Sequence, residues 1–301
     1  MYFVTGIFKG ETFIGITDEA QQFILDLHKA AEMVGEMMNI PKTLLECIQL
    51  EDKFIEICIN LRNWVQKQNN SSRYLYKIED VTLLAPIPRP SKNVLCVGKN
   101  YKDHVLEMGS VDDIPEHIMI FTKAPTSVIG DQENILLHAD LTNQLDYEGE
   151  LAVIIGKQGK SIKADNAMDY VFGYTILNDI TARDLQAKHK QFFLGKSLDA
   201  SCPMGPFIVH KSVITDPHKL TISTKVNGEI RQKANTGLMI YQIPEIIATL
   251  SKGMTLEPGD IIATGTPAGV GKGFLPPRFL KKGDVVEVEV EQIGRLVNSV
   301  E

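Results

Sequence analysis

Three acidic residues carry the clearest chemistry in this chain. Glu148 and Glu150 lie two apart in Asp146-Tyr147-Glu148-Gly149-Glu150, directly before the apolar run Leu151 to Ile155. On a strand, residues two apart project from one face, so the two carboxylates point the same way. Side by side they repel unless a positive charge sits between them. The apolar run carries them toward a core, where unpaired charge is costly. A third acid, Asp179, ends another apolar stretch that starts at Tyr174. Three carboxylates with no Cys and no adjacent His form a hard oxygen set that suits Mg²⁺ or Mn²⁺ rather than zinc. An E-x-E pair on its own is more often a solvent-facing strand pair matched with Lys or Arg. The neighbouring motifs therefore decide.

The elements that must hold these residues read as follows. Past Pro90 the texture is β-rich, in short runs broken by Gly and Pro: NVLCVG, IMIFTK, ELAVIIG, VFGYTILND, GPFIVH, KLTISTKVNG, DIIATG and DVVEVEVEQIG. Two helical stretches stand out there, Asp184 to Phe193 and Ile243 to Ser251. Regular βαβ alternation is absent, which disfavours a dinucleotide-binding sheet and favours a β-sandwich or β-roll. Asn227-Gly228 reads as a type I′ hairpin turn. Before the prolines, two short strands surround a turn at Gly10. A helix is then expected from an N-cap at Asp18 through Phe23, Leu27, Ala31 and Val34. A second is expected from Thr43 through Leu44, Ile48, Phe54, Ile57, Leu61 and Trp64, followed by a polar break over 66–72 and a strand over 81–84. The proline run Pro86 to Pro90 is stiff and extended. It divides a small α+β N-terminal domain (1–85) from a large, mostly β domain (90–301). The class is α+β, mostly β.

Composition narrows the function. A net charge of −7 with basic residues scattered lacks the footprint of a nucleic-acid binder. It also means that an anionic substrate needs a local cluster of cations. Cys47, Cys58, Cys96 and Cys202 form no C-x-x-C pattern and sit among apolar neighbours, as small buried hydrophobes do. Lys9 and Glu11 interrupt the apolar start before any secretory core could form, and no stretch is long and apolar enough to span a membrane. The expected location is the cytoplasm.

The segments GKNYKDHVLEMG (98–109), LDYEGELAVIIGK (145–157), GYTILNDITARDLQ (173–186), GKSLDASCPMGP (195–206) and GDIIATGTPAGVG (259–271) resemble, in order, the serial motifs of the fumarylacetoacetate hydrolase superfamily. They cover nearly all of the chain after the prolines. The two-part plan resembles a bacterial branch that includes oxaloacetate decarboxylases and acylpyruvases. The resemblance implies a mixed β-sandwich or β-roll catalytic domain, with Glu148, Glu150 and Asp179 as ligands of Mg²⁺ or Mn²⁺. It implies that His104 and Glu107 form a catalytic dyad on a short helix over the pocket, and their i, i+3 spacing puts both on one helical face. It makes Lys196 the active-site lysine and gives Gln186 a water or the substrate to hold. Thr266 and the backbone around Gly265 are implied to bind the substrate carboxylate. Lys123 and Arg183 are further candidates for the pocket wall, though Arg183, next to Asp184, equally suits a structural ion pair.

The implied activity is cleavage of a carbon–carbon bond in a small 2-oxo acid through a pyruvate enolate, with oxaloacetate decarboxylation foremost. A hydrolase acting on acylpyruvates or related β-diketo acids shares the same intermediate. Hydratase or isomerase chemistry, or a scaffold role docking a protein partner through residues 1–85, are the other readings. The resemblance also implies a homodimer.

Overall fold

The structure, a computed structural model, describes residues 1–35, 39–68 and 73–301. Strands β1 (Tyr2–Phe8) and β2 (Glu11–Thr17) form the expected hairpin. Its turn residues Lys9 and Gly10 have φ of 51° and 83°, as a type I′ turn requires. The next segment departs from the expected helix at Asp18. Gln21 has φ 49°, which no continuous helix tolerates, and β3 (Phe23–Asp26) pairs with β2. Helix α1 (Leu27–Val34) begins only there, where the Asp26 carboxylate accepts from the Lys29 N–H. The single helix expected after Thr43 is two, α2 (Leu44–Ile48) and α3 (Asp52–Val65). Thr43 and Glu46 close a capping box on α2, and Glu51 at φ 52° breaks the run. Buried Leu27, Ala30 and Ala31 of α1 share one core with Phe54, Cys58 and Leu61 of α3. Of the polar break expected over 66–72, residues 69–72 lie outside the described residues. Short strands β4 (Leu75–Lys77) and β5 (Thr82–Leu83) then join β3 and β1.

Beyond the prolines come β6 (Val94–Gly98), α4 (Lys102–Met108), β7 (Met119–Lys123) and β8 (Val128–Ile129). They are followed by β9 (Leu145–Asp146), β10 (Gly149–Ile155), β11 (Val171–Asn178) and β12 (Thr181–Ala182). The helical run expected over 184–193 divides into α5 (Arg183–His189) and α6 (Phe193–Lys196), because Lys190 takes φ 59°. The remaining elements are β13 (Cys202–His210), β14 (Thr221–Val226), β15 (Glu229–Asn235), α7 (Ile243–Ser251), β16 (Ile261–Ala263), β17 (Val285–Val290) and β18 (Gly294–Ser299). Asn227 and Gly228, at φ 52° and 80°, make the β14–β15 turn.

Among the described residues one large sheet runs β4-β3-β2-β1-β13-β11-β10-β16-β6-β7, with β5 also on β1 and β8 on β13. The β16–β6 and β13–β8 pairs are parallel. Residues of the N-terminal segment thus continue the sheet directly, with Tyr2 opposite Val209 and Phe3 opposite Ile208. A second, antiparallel sheet runs β15-β14-β17-β18 and packs across β10 and β11. A Cβ at Gly149 would lie 2.2 Å from Thr224 Oγ1, so only glycine lets the two sheets approach there. Strand β10 is buried on both faces: Leu151, Val153 and Ile155 enter one core, Ala152 and Ile154 the other. That burial explains its unbroken apolar run. The architecture is mostly β with peripheral helices, the α+β class expected. All four cysteines are free and buried. No described helix is long and apolar enough to cross a membrane.

Candidate active site

Strand register brings the acids together. Gly149 of β10 pairs with Asn178 of β11, so Glu148 lies beside Asp179 just past the strand ends. The Asp179 N–H donates to Glu148 O (2.8 Å) and the Glu148 N–H to Asn178 Oδ1 (3.0 Å). Glu148, Glu150 and Asp179 are all buried, and one carboxylate oxygen from each lies within 4.8 Å of the others.

Cations surround this cluster unevenly. Lys196 Nζ donates to Glu148 Oε2 and Asp179 Oδ2, both at 2.7 Å. Arg183 Nη2 lies 2.7 Å from Glu148 Oε1, and its Nε donates to Asp146 Oδ2 (2.8 Å). Lys123 Nζ donates to Ile180 O (3.0 Å) and to Lys196 O, and stands 2.9 Å from Asp179 Oδ1. That contact is an ion pair and not a hydrogen bond, so the buried oxygen has no hydrogen-bond donor. Glu150 has no cationic partner among the described residues, and its Oε2 accepts only from the Gly265 N–H (2.7 Å). The two glutamates are pushed apart accordingly. Burial alone would raise Glu148, but the charges of Lys196 and Arg183 outweigh it and bring it down to about 2. Burial, then the charges of Asp179 and Glu148, hold Glu150 well above the usual carboxylate range. Asp179 and Glu148 likewise raise Lys196 despite its burial.

A divalent cation fits this arrangement. The donor set is all oxygen, Asp179 Oδ1 has no hydrogen-bond donor, and Glu150 forms no ion pair among the described residues. The acids that would hold the ion are Glu148, Glu150 and Asp179. Cys96 and Cys202, close enough for their fields to reach, are kept protonated by burial and offer no thiolate.

Helix α4 stands over the site. His104 Nδ1 and Glu107 Oε1 are 2.7 Å apart, and Glu107 Oε2 accepts from the Gly269 N–H (2.8 Å). An ionised carboxylate only accepts, so the proton of a neutral His104 ring sits on Nδ1 and Nε2 carries a lone pair. A cavity of about 300 Å³ is lined by His104, Glu148, Glu150, Arg183, Gln186, Lys196 and Thr266. Val97, Met108, Phe121 and Phe192 supply apolar wall, with Lys196 Nζ 4.8 Å from the Phe121 ring centre. Asp179, Lys123 and Gly265 stand behind this lining. Thr266 Oγ1 donates to Gly149 O (3.0 Å) and accepts from Gln232 Nε2 (2.7 Å). Gln186 Oε1 accepts a long bond from Arg183 Nη1 (3.4 Å).

Other supports escape a motif reading. Asp146 accepts from Tyr147 N–H, Gly271 N–H, Lys272 N–H and Arg183 Nε, so it ties the 264–273 loop to α5. Its signal was its place two residues before Glu148. Buried Gln232 bridges the Gly149 N–H to Thr266 and Pro267, and nothing around it in the sequence marks it. Gly195 lets α6 press on α5, since a Cβ there would lie 2.6 Å from Gln186 N. Lys99, Lys190 and Lys272 also border the cavity.

Known proteins share this frame. Residues 93–301 match the family described as fumarylacetoacetate (FAA) hydrolase C-terminal. The chain is 54% identical to the oxaloacetate tautomerase YisK of Bacillus subtilis, with all of both chains covered. It is similar to a fumarylacetoacetate hydrolase from psychrophilic Exiguobacterium antarcticum (TM-score 0.82, 42% identity, 100% and 99% of the two chains). A 2-hydroxyhepta-2,4-diene-1,7-dioate isomerase from Mycobacterium marinum superposes with TM-score 0.74 at 31% identity, covering 100% and 98%. With its fold, its ordered motifs and more than two thirds of its length in agreement, this chain belongs to the fumarylacetoacetate hydrolase superfamily of enzymes.

Proposed function

We propose that this enzyme uses Mg²⁺ or Mn²⁺ to interconvert the enol and keto forms of a small 2-oxo acid, oxaloacetate first among them. The observation that carries this reading is the pair His104–Glu107 over a cavity lined by Glu148, Glu150 and two buried cations, with Asp179 beside the glutamates behind that lining. Its 54% identity to an oxaloacetate tautomerase supports the same reading.

A divalent ion held by Glu148, Glu150 and Asp179 would supply Lewis acidity to the 2-oxo acid's oxygens. The rest falls to the protein. His104 Nε2 takes a proton from C3; the C–H electron pair becomes the C2–C3 double bond and the carbonyl pair moves to oxygen, which then accepts a proton. Ketonisation is the reverse. Glu107 holds the ring's tautomer and stabilises it when protonated. Arg183 and Lys196 offset the negative charge that gathers on oxygen. The apolar wall of Phe121, Phe192 and Met108 excludes water that would compete for these protons.

Decarboxylation, the first expectation from the sequence, needs no base for its bond-breaking step, so it leaves the dyad idle until the enolate is protonated. Hydrolysis of an acylpyruvate would instead use the dyad on a water. The experiment is to follow loss of the oxaloacetate enol by its ultraviolet absorbance, with Mn²⁺ and then with EDTA. Pyruvate release from oxaloacetate and from acetylpyruvate is measured alongside. Metal-dependent ketonisation that outruns pyruvate release is expected. Pyruvate appearing as fast as the enol vanishes would make it a decarboxylase, faster cleavage of acetylpyruvate a hydrolase, and no metal-dependent turnover would defeat the enzymatic reading of this site.

A further inference from the structure

The cations around the cavity differ in what they have left to give. Arg183 is committed to Asp146 and Glu148, and Lys196 to Glu148 and Asp179. At the rim, Lys99 Nζ stands 3.4 Å from Asp113 Oδ1. Lys190 and Lys272 are the lining cations whose side chains make no ion pair or hydrogen bond among the described residues. Both are exposed at the mouth, and they come from different elements. Lys190 follows α5 with φ 59°, a conformation non-glycine residues rarely hold without a reason. Lys272 sits in the turn Gly271–Gly273, its own N–H fixed on Asp146 Oδ2 at 3.1 Å. The buried hub that orients Arg183 therefore also sets the root of Lys272.

We infer that Lys190 and Lys272 bind the second carboxylate of the substrate and make the enzyme selective for dicarboxylic 2-oxo acids over monocarboxylic ones. The inference rests on the 2-oxo acid reading of the site. The inner end of the cavity holds the acids and the two committed cations, where the 2-oxo acid head belongs. A four-carbon dicarboxylate then carries its other charge outward, and uncommitted ammonium groups at the mouth meet that charge. A cation there has a second effect. In loss of CO₂ a carboxylate lone pair becomes the second C=O bond, the C3–C4 pair becomes the C2–C3 double bond and the charge ends on the C2 oxygen, so a lysine that stabilises the carboxylate resists its departure.

The test uses the full-length, Mn²⁺-loaded protein with Lys190→Met, Lys272→Met and the double variant, whose exposed positions leave folding to be verified by an unchanged Tm. Calorimetry with L-malate and with 2-hydroxybutanoate compares unreactive ligands that differ by the terminal carboxylate. The wild type is expected to prefer malate. Each variant should lose about 10-fold or more in malate affinity, the scale of a charge-assisted hydrogen bond, while 2-hydroxybutanoate binding stays within about twofold. Equal losses for both ligands would mean general electrostatic steering and overturn the inference, as would unchanged malate binding or a wild type without preference. If the variants lose malate selectively but the wild type fails to ketonise oxaloacetate, the carboxylate site stands and the tautomerase reading falls.

Discussion

We propose that metal loading turns on Glu150. It is buried, faces two other carboxyl groups and has one backbone N–H to lean on. Glu150→Gln keeps the shape and that hydrogen bond but removes a charged ligand. We predict that its Mn²⁺ affinity, measured by calorimetry, falls by more than the roughly 10–100-fold typical of losing a mere supporting group. His104→Asn should do the opposite: Mn²⁺ binding unchanged, kcat for ketonisation reduced by about 10²–10⁴, the usual weight of a general acid–base group. If His104→Asn keeps full kcat, the proton is handled elsewhere. The acids were legible in the sequence because alternation along a strand is local information: Glu148 and Glu150 announce a shared direction by spacing alone. Asp179 was read as the third acid from its place at the end of an apolar stretch, but that it sits beside the glutamates depends on the β10–β11 register, which no local spacing encodes. Asp146 offered only its place two residues before Glu148, and Gln232 offered nothing, for a related reason. Each acts by joining segments more than 80 residues apart in the chain, and a buried polar residue looks the same in a sequence whatever it joins.

At the scale of elements, the junction of β1 with β13 carries a titratable device. His210 ends β13, packs against the rings of Phe3 and Phe172, and has its pKa lowered to about 4. Burial is the main cause, with the positive chain start and Lys211 adding to it. The sign follows from linkage. Between its unfolded value of 6.5 and about 4 the unfolded chain holds the proton and the folded chain does not, so stability is lost as pH falls through that window. Denaturant midpoints of wild type and His210→Gln, compared at pH 7 and pH 5, should show the wild type losing more. Equal losses would mean that another group governs the acid limb. Helix boundaries were the least legible feature. The apolar period runs on through Phe23, through Glu51 and through Lys190, yet Gln21, Glu51 and Lys190 each adopt positive φ. Nothing in those side chains advertises a break; tertiary contacts impose it, and periodicity cannot see them.

For the whole molecule, we propose the homodimer that the family likeness implied. Ile230, Leu238 and Leu275 expose 55%, 61% and 98% of their surface, apolar area of the kind a second copy covers. Light scattering should return a mass near twice 33.5 kDa, and a monomer would refute the pairing. The large sheet runs across the proline run, with β1 to β5 before it and the other strands after it. Alternating strands spelled out a mostly β class, but strand order is set by partners far apart, and no local signal told that β1 lies against β13. That pairing has a consequence for how the chain is born. Tyr2 leaves the ribosome some two hundred residues before Val209, its partner. At roughly 5–20 residues per second, the Tyr2–Phe3 end of that edge waits about 10–40 s to be filled, whereas β5 covers Gly6 and Ile7 much sooner. During translation, then, the Tyr2–Phe3 end of β1 stays unpaired on its β13 side long after β2 and β5 have joined the rest of the strand.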